Sequence, residues 1–298
     1  MGIPIDSVRV ETALMAENPA LVYGRMTGWG QTGPYSHTAG HDINYIALSG
    51  ALGAIGRPDQ NPTPPLNLVG DFGGGGLMLA FAMVSALLHA QRSGAGQVID
   101  CAMIDGSAVL MACIYSLQAQ GRWRAQMGAN IVDGAAPYYD TYETRDGRFV
   151  ALGPIEPQFY DQMLELIGLR EVCSTVDQND EKDWPWLKEI IRERIKTRTR
   201  DEWCAILEGS DACFAPVLSV VEAPEHPQNK ARGTFVDVAG IIQPAPAPRY
   251  SATPNATPSL MVGDEEAGAA VLREAGFSES DIAELRSAGA IASNDAAA

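Results

Sequence analysis

Two short stretches of this 298-residue chain hold residue types that could move protons. The first is Gly40-His41-Asp42-Ile43-Asn44-Tyr45; the second is Asn67-Leu68-Val69-Gly70-Asp71-Phe72, continued by Gly73-Gly74-Gly75-Gly76. Both share one grammar: a glycine, an ionisable side chain, then a run that reads as helix. A helix start offers unpaired backbone N–H groups and the positive end of a dipole. Such a place can keep a carboxylate ionised or steady a developing oxyanion. The glycines around Asp71 have no packing role evident from sequence, but they let another group approach the backbone closely. Taken singly, each feature has a plainer reading. A Gly-Asp before a helix is commonly an N-cap, a lone histidine is commonly structural, and four glycines in a row follow neither a Walker nor a GxGxxG spacing. The pair is more telling, because one ionisable group opens each of two consecutive helices. If those helices lie side by side, His41 and Asp71 face one cleft.

The elements that would position this pair can be read from periodicity and punctuation. Residues 11–17 read as the end of a helix and 20–27 as a buried strand. A turn-rich loop over 28–34 leads to His41, and 42–54 is predicted helical. A loop over 57–65 with four prolines delivers Asn67 and Asp71. The clearest helix covers 75–92 and is stopped by Ser93-Gly94-Ala95-Gly96. A short strand over 97–101 and an apolar helix over 103–120 follow, and this alternation predicts a parallel α/β layer. Beyond Gly121 the character changes. A hairpin over 138–143 and 148–152 turns at Asp146-Gly147, and a helix over 157–167 begins with proline. Charged helices over 184–195 and 201–207 complete a smaller α+β unit. Residues 243–258 read as an extended, proline-rich return segment, and Ser278 caps a terminal helix. The expected organisation is a large α/β domain over 1–120, a linker over 121–130, a small α+β domain over 131–225, and a return segment with C-terminal helices over 226–298.

Composition narrows the function. With 46% apolar and 19% charged residues and a mean hydropathy of −0.06, the chain has the balance of a soluble globular protein. A net charge of −16 argues against general binding to nucleic acid or to an anionic membrane. An anionic ligand would have to be held locally. The longest nearly apolar run, 77–88, is shorter than a bilayer span and reads as a core helix. Five scattered cysteines without CxxC spacing suit a reduced chain. No basic and apolar leader opens the sequence, so the cytoplasm is the expected location. The histidines lack ligand spacing, and no metal is expected.

Several motifs resemble the α-methylacyl-CoA racemases, which belong to the family III CoA-transferase superfamily. They are Arg25-Met26-Thr27-Gly28-Trp29-Gly30-Gln31-Thr32-Gly33-Pro34, the His41 and Asp71 stretches, Gly134-Ala135-Ala136-Pro137-Tyr138-Tyr139-Asp140-Thr141-Tyr142, and Ile155-Glu156-Pro157-Gln158-Phe159-Tyr160. The resemblance runs from about residue 18 to the last helix. It implies that His41 and Asp71 are catalytic and that Glu156 works with the histidine. It also implies that Asn67 and Tyr139 line the reacting acyl group, and that the Asp42 backbone N–H lies by the thioester oxygen. The implied fold is a Rossmann-like large domain plus a small domain, with two chains interlocked as a homodimer and each active site shared between them. The partner molecule is an acyl-CoA thioester, coenzyme A being part of the substrate and no separate cofactor needed. Family members also begin with a strand–helix–strand segment that carries much of the CoA nucleotide contact. Residues 1–9 match no part of it, so the large domain is expected to be N-terminally incomplete.

The chemistry of the residues fits this implication. Inverting a carbon beside a thioester takes a proton from one face and returns one to the other, so two groups must flank the carbon while a donor holds the enolate oxygen. A carboxylate such as Glu156 can orient an imidazole and stabilise its cation. Two alternatives stand beside the racemase. A transferase would use Asp71 as a nucleophile forming covalent intermediates, and a truncated chain could persist as an inactive scaffold.

Overall fold

The computed structural model describes residues 7–259 and 265–291. Residues 1–6, which include most of the unmatched N-terminal stretch, lie outside the described residues. The chain divides into two units, Met1–Val217 and Leu218–Ala298.

In the first unit, helix α1 (Ser7–Glu17) precedes strand β1 (Val22–Thr27), and helix α2 (Asp42–Leu48) follows the turn-rich loop. Helix α3 (Met78–Ser93) leads to strand β2 (Gln97–Ala102). β1 and β2 pair in parallel from Val22 opposite Gln97 to Thr27 opposite Ala102, as the alternation predicts. α3 lies on β1 so closely that a Cβ at Gly24 would stand 2.9 Å from both Leu79 and Met83. The helix ends where expected, at Gly94 with left-handed backbone (φ 75°).

Three expectations need correction in this part. The helix predicted over 42–54 stops at Leu48, because Gly50 turns left-handed (φ 82°) before a short 3₁₀ turn, Leu52–Ala54. The helix predicted over 103–120 breaks at Met111 into α4 (Met103–Leu110) and α5 (Ala112–Ala119). The third concerns the apolar run over 77–88. Instead of a short core helix, it belongs to a continuous helix, Leu68–Ser93, of 26 residues, which holds an 18-residue stretch of mean hydropathy 1.6 and is long and apolar enough by length and composition to cross a bilayer. This helix is largely exposed: Leu77, Phe81 and Val84 stand about 70% open, and only Ala86 and Ala90 of α3 are buried. Ala86 and Ala90 face the two-stranded sheet together with Met83, packing with Val22 and Ile99.

The first segment of that long helix, Leu68–Leu77, is wound wide, as a π-helix. Its glycines, without a packing partner evident from sequence, lie against another element. A Cβ on Gly74 would lie 2.6 Å from the Ser107 nitrogen, and one on Gly106 would lie 1.8 Å from the Gly74 carbonyl oxygen. The partner is thus the backbone of α4 itself.

Strands β3 (Asp140–Glu143) and β4 (Phe149–Leu152) form the predicted hairpin. Helices α6 (Pro157–Leu166), α7 (Trp184–Ile195) and α8 (Arg200–Leu207) pack on it, and β5 (Phe214–Pro216) adds a third antiparallel strand. The core of the unit sits here. Leu187, Ile191 and Ile195, spaced by four on α7, are fully buried with Trp203 and Met163. The Trp203 indole donates to the Ile195 carbonyl at 2.7 Å.

The second unit holds helix α9 (Pro227–Arg232), a hairpin of β6 (Phe235–Val238) and β7 (Ile241–Pro244), and helices α10 (Glu265–Glu274) and α11 (Glu279–Ser287). The hairpin, unread in the sequence, turns at Ala239-Gly240, both left-handed (φ 52° and 86°). Ser278 caps α11 as expected, its hydroxyl accepting the Asp281 N–H.

Candidate active site

His41 is the N-cap of α2, with extended backbone (φ −136°, ψ 173°) and an exposed side chain. Asn44 covers the helix start from within its first turn. The Asn44 side-chain oxygen accepts the His41 N–H at 3.1 Å, and the His41 carbonyl accepts the Asn44 N–H at 2.8 Å. The loop before His41 is pinned by aromatic rings. Tyr45 meets Trp29 edge to face at 4.8 Å, and Trp29 leans on Tyr35 at 5.1 Å. The Tyr45 hydroxyl donates to the Gly40 carbonyl. This arrangement requires glycine at 28 and 40, because Cβ atoms there would lie 2.1 Å and 2.8 Å from the Tyr45 ring. Burial, and then the charge of Asp71, pushes the Tyr45 phenol up, so it stays a neutral donor.

Asp71 differs from its expected place. Instead of standing ahead of its helix it is inside it, in the first turn of Leu68–Leu77, because Asn67 and the wide winding start the helix earlier. Its carboxylate Oδ2 accepts from the Asn67 side-chain amide at 3.2 Å. Its backbone N–H and that of Gly70 both donate to Asp42 Oδ2, each at 2.7 Å. Asp42 is only 5% exposed, and its other oxygen, Oδ1, is buried without a hydrogen-bond partner among the described residues. Gly70 is required here too: a Cβ on it would stand 2.5 Å from Asp42 Oδ2.

The structure therefore brings His41, Asp42, Asn67 and Asp71 into one neighbourhood, where α2 meets the wide helical turn. Glu156 and Tyr139 lie elsewhere, on the part that carries β3 to β5. Glu156 is the exposed N-cap residue of α6, and among the described residues its carboxylate makes no hydrogen bond or ion pair. Its charge, after burial, helps hold the Cys213 thiol protonated. Tyr139 precedes β3 and lines a cavity of about 870 Å³ with Met111, Trp123, Leu152 and Phe214. That cavity contains none of His41, Asp71 or Glu156. Among the described residues no three His, Cys, Asp or Glu side chains gather as a metal site.

Residues 10–261 match the sequence profile of CoA-transferase family III. The chain belongs to that family. It is 47% identical over 279 residues to the α-methylacyl-CoA racemase of Mus musculus, covering 92% of this chain and 72% of that one. To the Homo sapiens α-methylacyl-CoA racemase it is 43% identical over 286 residues, covering 94% and 74%. Relatives that carry a CoA-transferase name are more distant. Among solved structures, a CAIB/BAIF family protein from Brucella suis superposes with a TM-score of 0.73 at 28% identity, covering 88% of this chain and 70% of that one. The mixed α/β fold of the family III chain is shared with it.

Three features of this family III chain went unread in the sequence. The Asp42 carboxylate carries no local signal, because the backbone it binds at Gly70 lies 28 residues along the chain. Tyr45 and Trp29 stand within the motifs, yet their grip on Gly28 and Gly40 needs the loop folded over α2. The third is an ion cluster. Asp140, its side chain 5% exposed, binds Arg57 at 2.5 Å and Lys188 at 2.7 Å, joining the loop after α2 to β3 and α7. Two cations from distant segments give no sequence signal of meeting one carboxylate.

Proposed function

We infer that this family III chain is an α-methylacyl-CoA racemase, interconverting (R)- and (S)-2-methylacyl-CoA thioesters through an enolate. The mouse and human racemases support this over CoA transfer, since they match over most of the chain and the transferases are more distant. The observation that carries the site reading is the tie between two segments. Asp42, next to His41, hydrogen-bonds the backbone of Asp71, so an imidazole and a carboxyl group are borne on segments fastened to each other.

The reaction follows from that pair. Neutral His41 takes the α-proton, the C–H electrons form the Cα=C bond, and the carbonyl electrons move to oxygen. The Asp42 backbone N–H donates to that oxygen. Asp71, in its acid form, returns a proton to the opposite face and becomes a carboxylate. The reverse direction starts from the Asp71 carboxylate and the His41 imidazolium, so the proton count is the same in both. Asn67 orients Asp71 through its amide, Tyr139 lines the acyl group, and Glu156 stabilises the imidazolium. The protein works as a homodimer, Glu156 reaching His41 of the other protomer. The exposure of Glu156, its lack of a partner among the described residues, and the open apolar side of α3 support this reading.

Proton exchange tests it. Either epimer of 2-methyldecanoyl-CoA in heavy water gains deuterium at the α-carbon as it epimerises. His41→Ala or Asp71→Asn lowers the rate by about 10²–10⁴, the range for a positioned acid or base. Unchanged rates in both variants would sink the assignment. A hydroxylamine-cleavable CoA adduct on Asp71, with turnover accelerated by a carboxylic acid acceptor, would make Asp71 the nucleophile of a transferase instead.

A further inference from the structure

The Asp42 side chain does something the reaction as derived so far does not use. Its carboxylate is buried, receives the N–H groups of Gly70 and Asp71 on one oxygen, and leaves the other oxygen buried and, among the described residues, unpaired. Burying a carboxylate oxygen without a donor is costly, and a fold seldom keeps such a group when a neutral one would serve. Packing alone does not call for it, since α2 is already capped by Asn44 and anchored by Ile46 and Tyr45. The groups that Asp42 fixes are the two peptides on either side of Gly70, and the second of them, between Gly70 and Asp71, sets the direction of the Asp71 side chain. The glycine at 70 is the counterpart of this contact, because any Cβ there would displace the carboxylate.

We propose that the Asp42 carboxylate is a positioning residue that aims Asp71, one of the two proton-transfer groups, at the substrate carbon held beside His41. It rests on the racemase reading and adds a consequence of its own. The two directions of a two-group racemase begin at different residues, so loosening Asp71 alone weakens proton removal from one epimer and leaves the other's first step to His41. Misplacement by about 1 Å costs on the order of 10²-fold.

The test measures α-proton exchange into heavy water separately from (R)- and (S)-2-methyldecanoyl-CoA, with Asp71→Asn defining which epimer depends on Asp71. Asp42→Ala is expected to lower exchange from that same epimer about 10²-fold, through kcat with little change in KM, and from the other epimer less than about tenfold. Asp42→Asn, which can still offer one oxygen to both N–H groups, retains most of the rate. If the alanine variant does not fold, Asp42→Ser supplies the same comparison, its hydroxyl being too short to bridge both N–H groups. Equal losses from both epimers, or none, while Asp71→Asn remains one-sided, overturn the positioning role and leave the racemase reading standing. Wild-type protein that exchanges neither epimer overturns both.

Discussion

Asp146, at the turn between β3 and β4, shows how much one exposed carboxylate can be asked to hold. The buried Thr144 hydroxyl donates to its Oδ1 at 2.6 Å, and the Arg200 N–H at the start of α8 donates to the same oxygen at 3.1 Å. These bonds, the Thr144 one foremost, hold its carboxyl below the usual aspartate value. A folded-state value below the unfolded one adds stability that is complete above the unfolded value and disappears as pH falls through the folded one. Asp146→Asn is therefore expected to be less stable than wild type in urea at pH 7, with the gap closing below about pH 4. A gap that persists unchanged to pH 2 would assign the loss to packing instead of charge. At this scale the sequence was most legible where a residue's type announces its chemistry, as with His41 and Asp71. It was least legible where a side chain serves a backbone far along the chain. Asp42 and Gly70 are 28 residues apart, and nothing local to either reports that they meet.

The segment from Leu68 to Leu77 and helix α4 show the same limit for elements. A four-glycine run reads as loop because each glycine costs a helix about 1 kcal/mol against alanine. It winds as a helix here with its backbone packed on α4, where the carbonyl of Gly74 fills the space a side chain at 106 would take. Gly106→Ala would force α4 away from the wide turn, with an expected loss of about 1–3 kcal/mol in urea unfolding and a fall in epimerisation as Asp71 shifts. Gly76→Ala is the contrasting case. A Cβ there meets only the Asp71 carbonyl, at an ordinary 3.6 Å, so the variant should be as stable as wild type or up to about 1 kcal/mol more so. Equal stability of Gly106→Ala and wild type would mean that the two backbones are not packed as described. Elements with plain periodicity, such as α7, or a plain stop, such as Gly94 after α3, were read correctly. The breaks at Leu48 and Met111 were not, because apolar residues continue across both.

For the whole molecule, burial is uneven. Within the first unit the extended core lies among β3 to β5 and α6 to α8, whereas around β1, β2 and α3 the buried cluster among the described residues is Val22, Ala86 and Ala90 with Met83 and Ile99 against it. The apolar side chains of α3 that stand open there are more than solvent exposure alone favours, and the α/β architecture, legible from alternation, did not foretell it. A second copy of the chain is the proposed cover, and the proposed site then draws His41 and Asp71 from one protomer and Glu156 from its partner. Mixing two inactive variants decides this. Asp71→Asn and Glu156→Gln, co-expressed so that chains pair at random, give mixed dimers in about half of the population. In each mixed dimer one site carries both lesions, and the other takes Asp71 from the second variant and Glu156 from the first, so it is intact. One good site in half of the dimers restores about a quarter of the wild-type rate per chain from two inactive inputs. If all three residues served a site within one chain, every site would carry a lesion. A preparation shown by native mass spectrometry to contain heterodimers, yet without recovered epimerisation, would rule out the shared site.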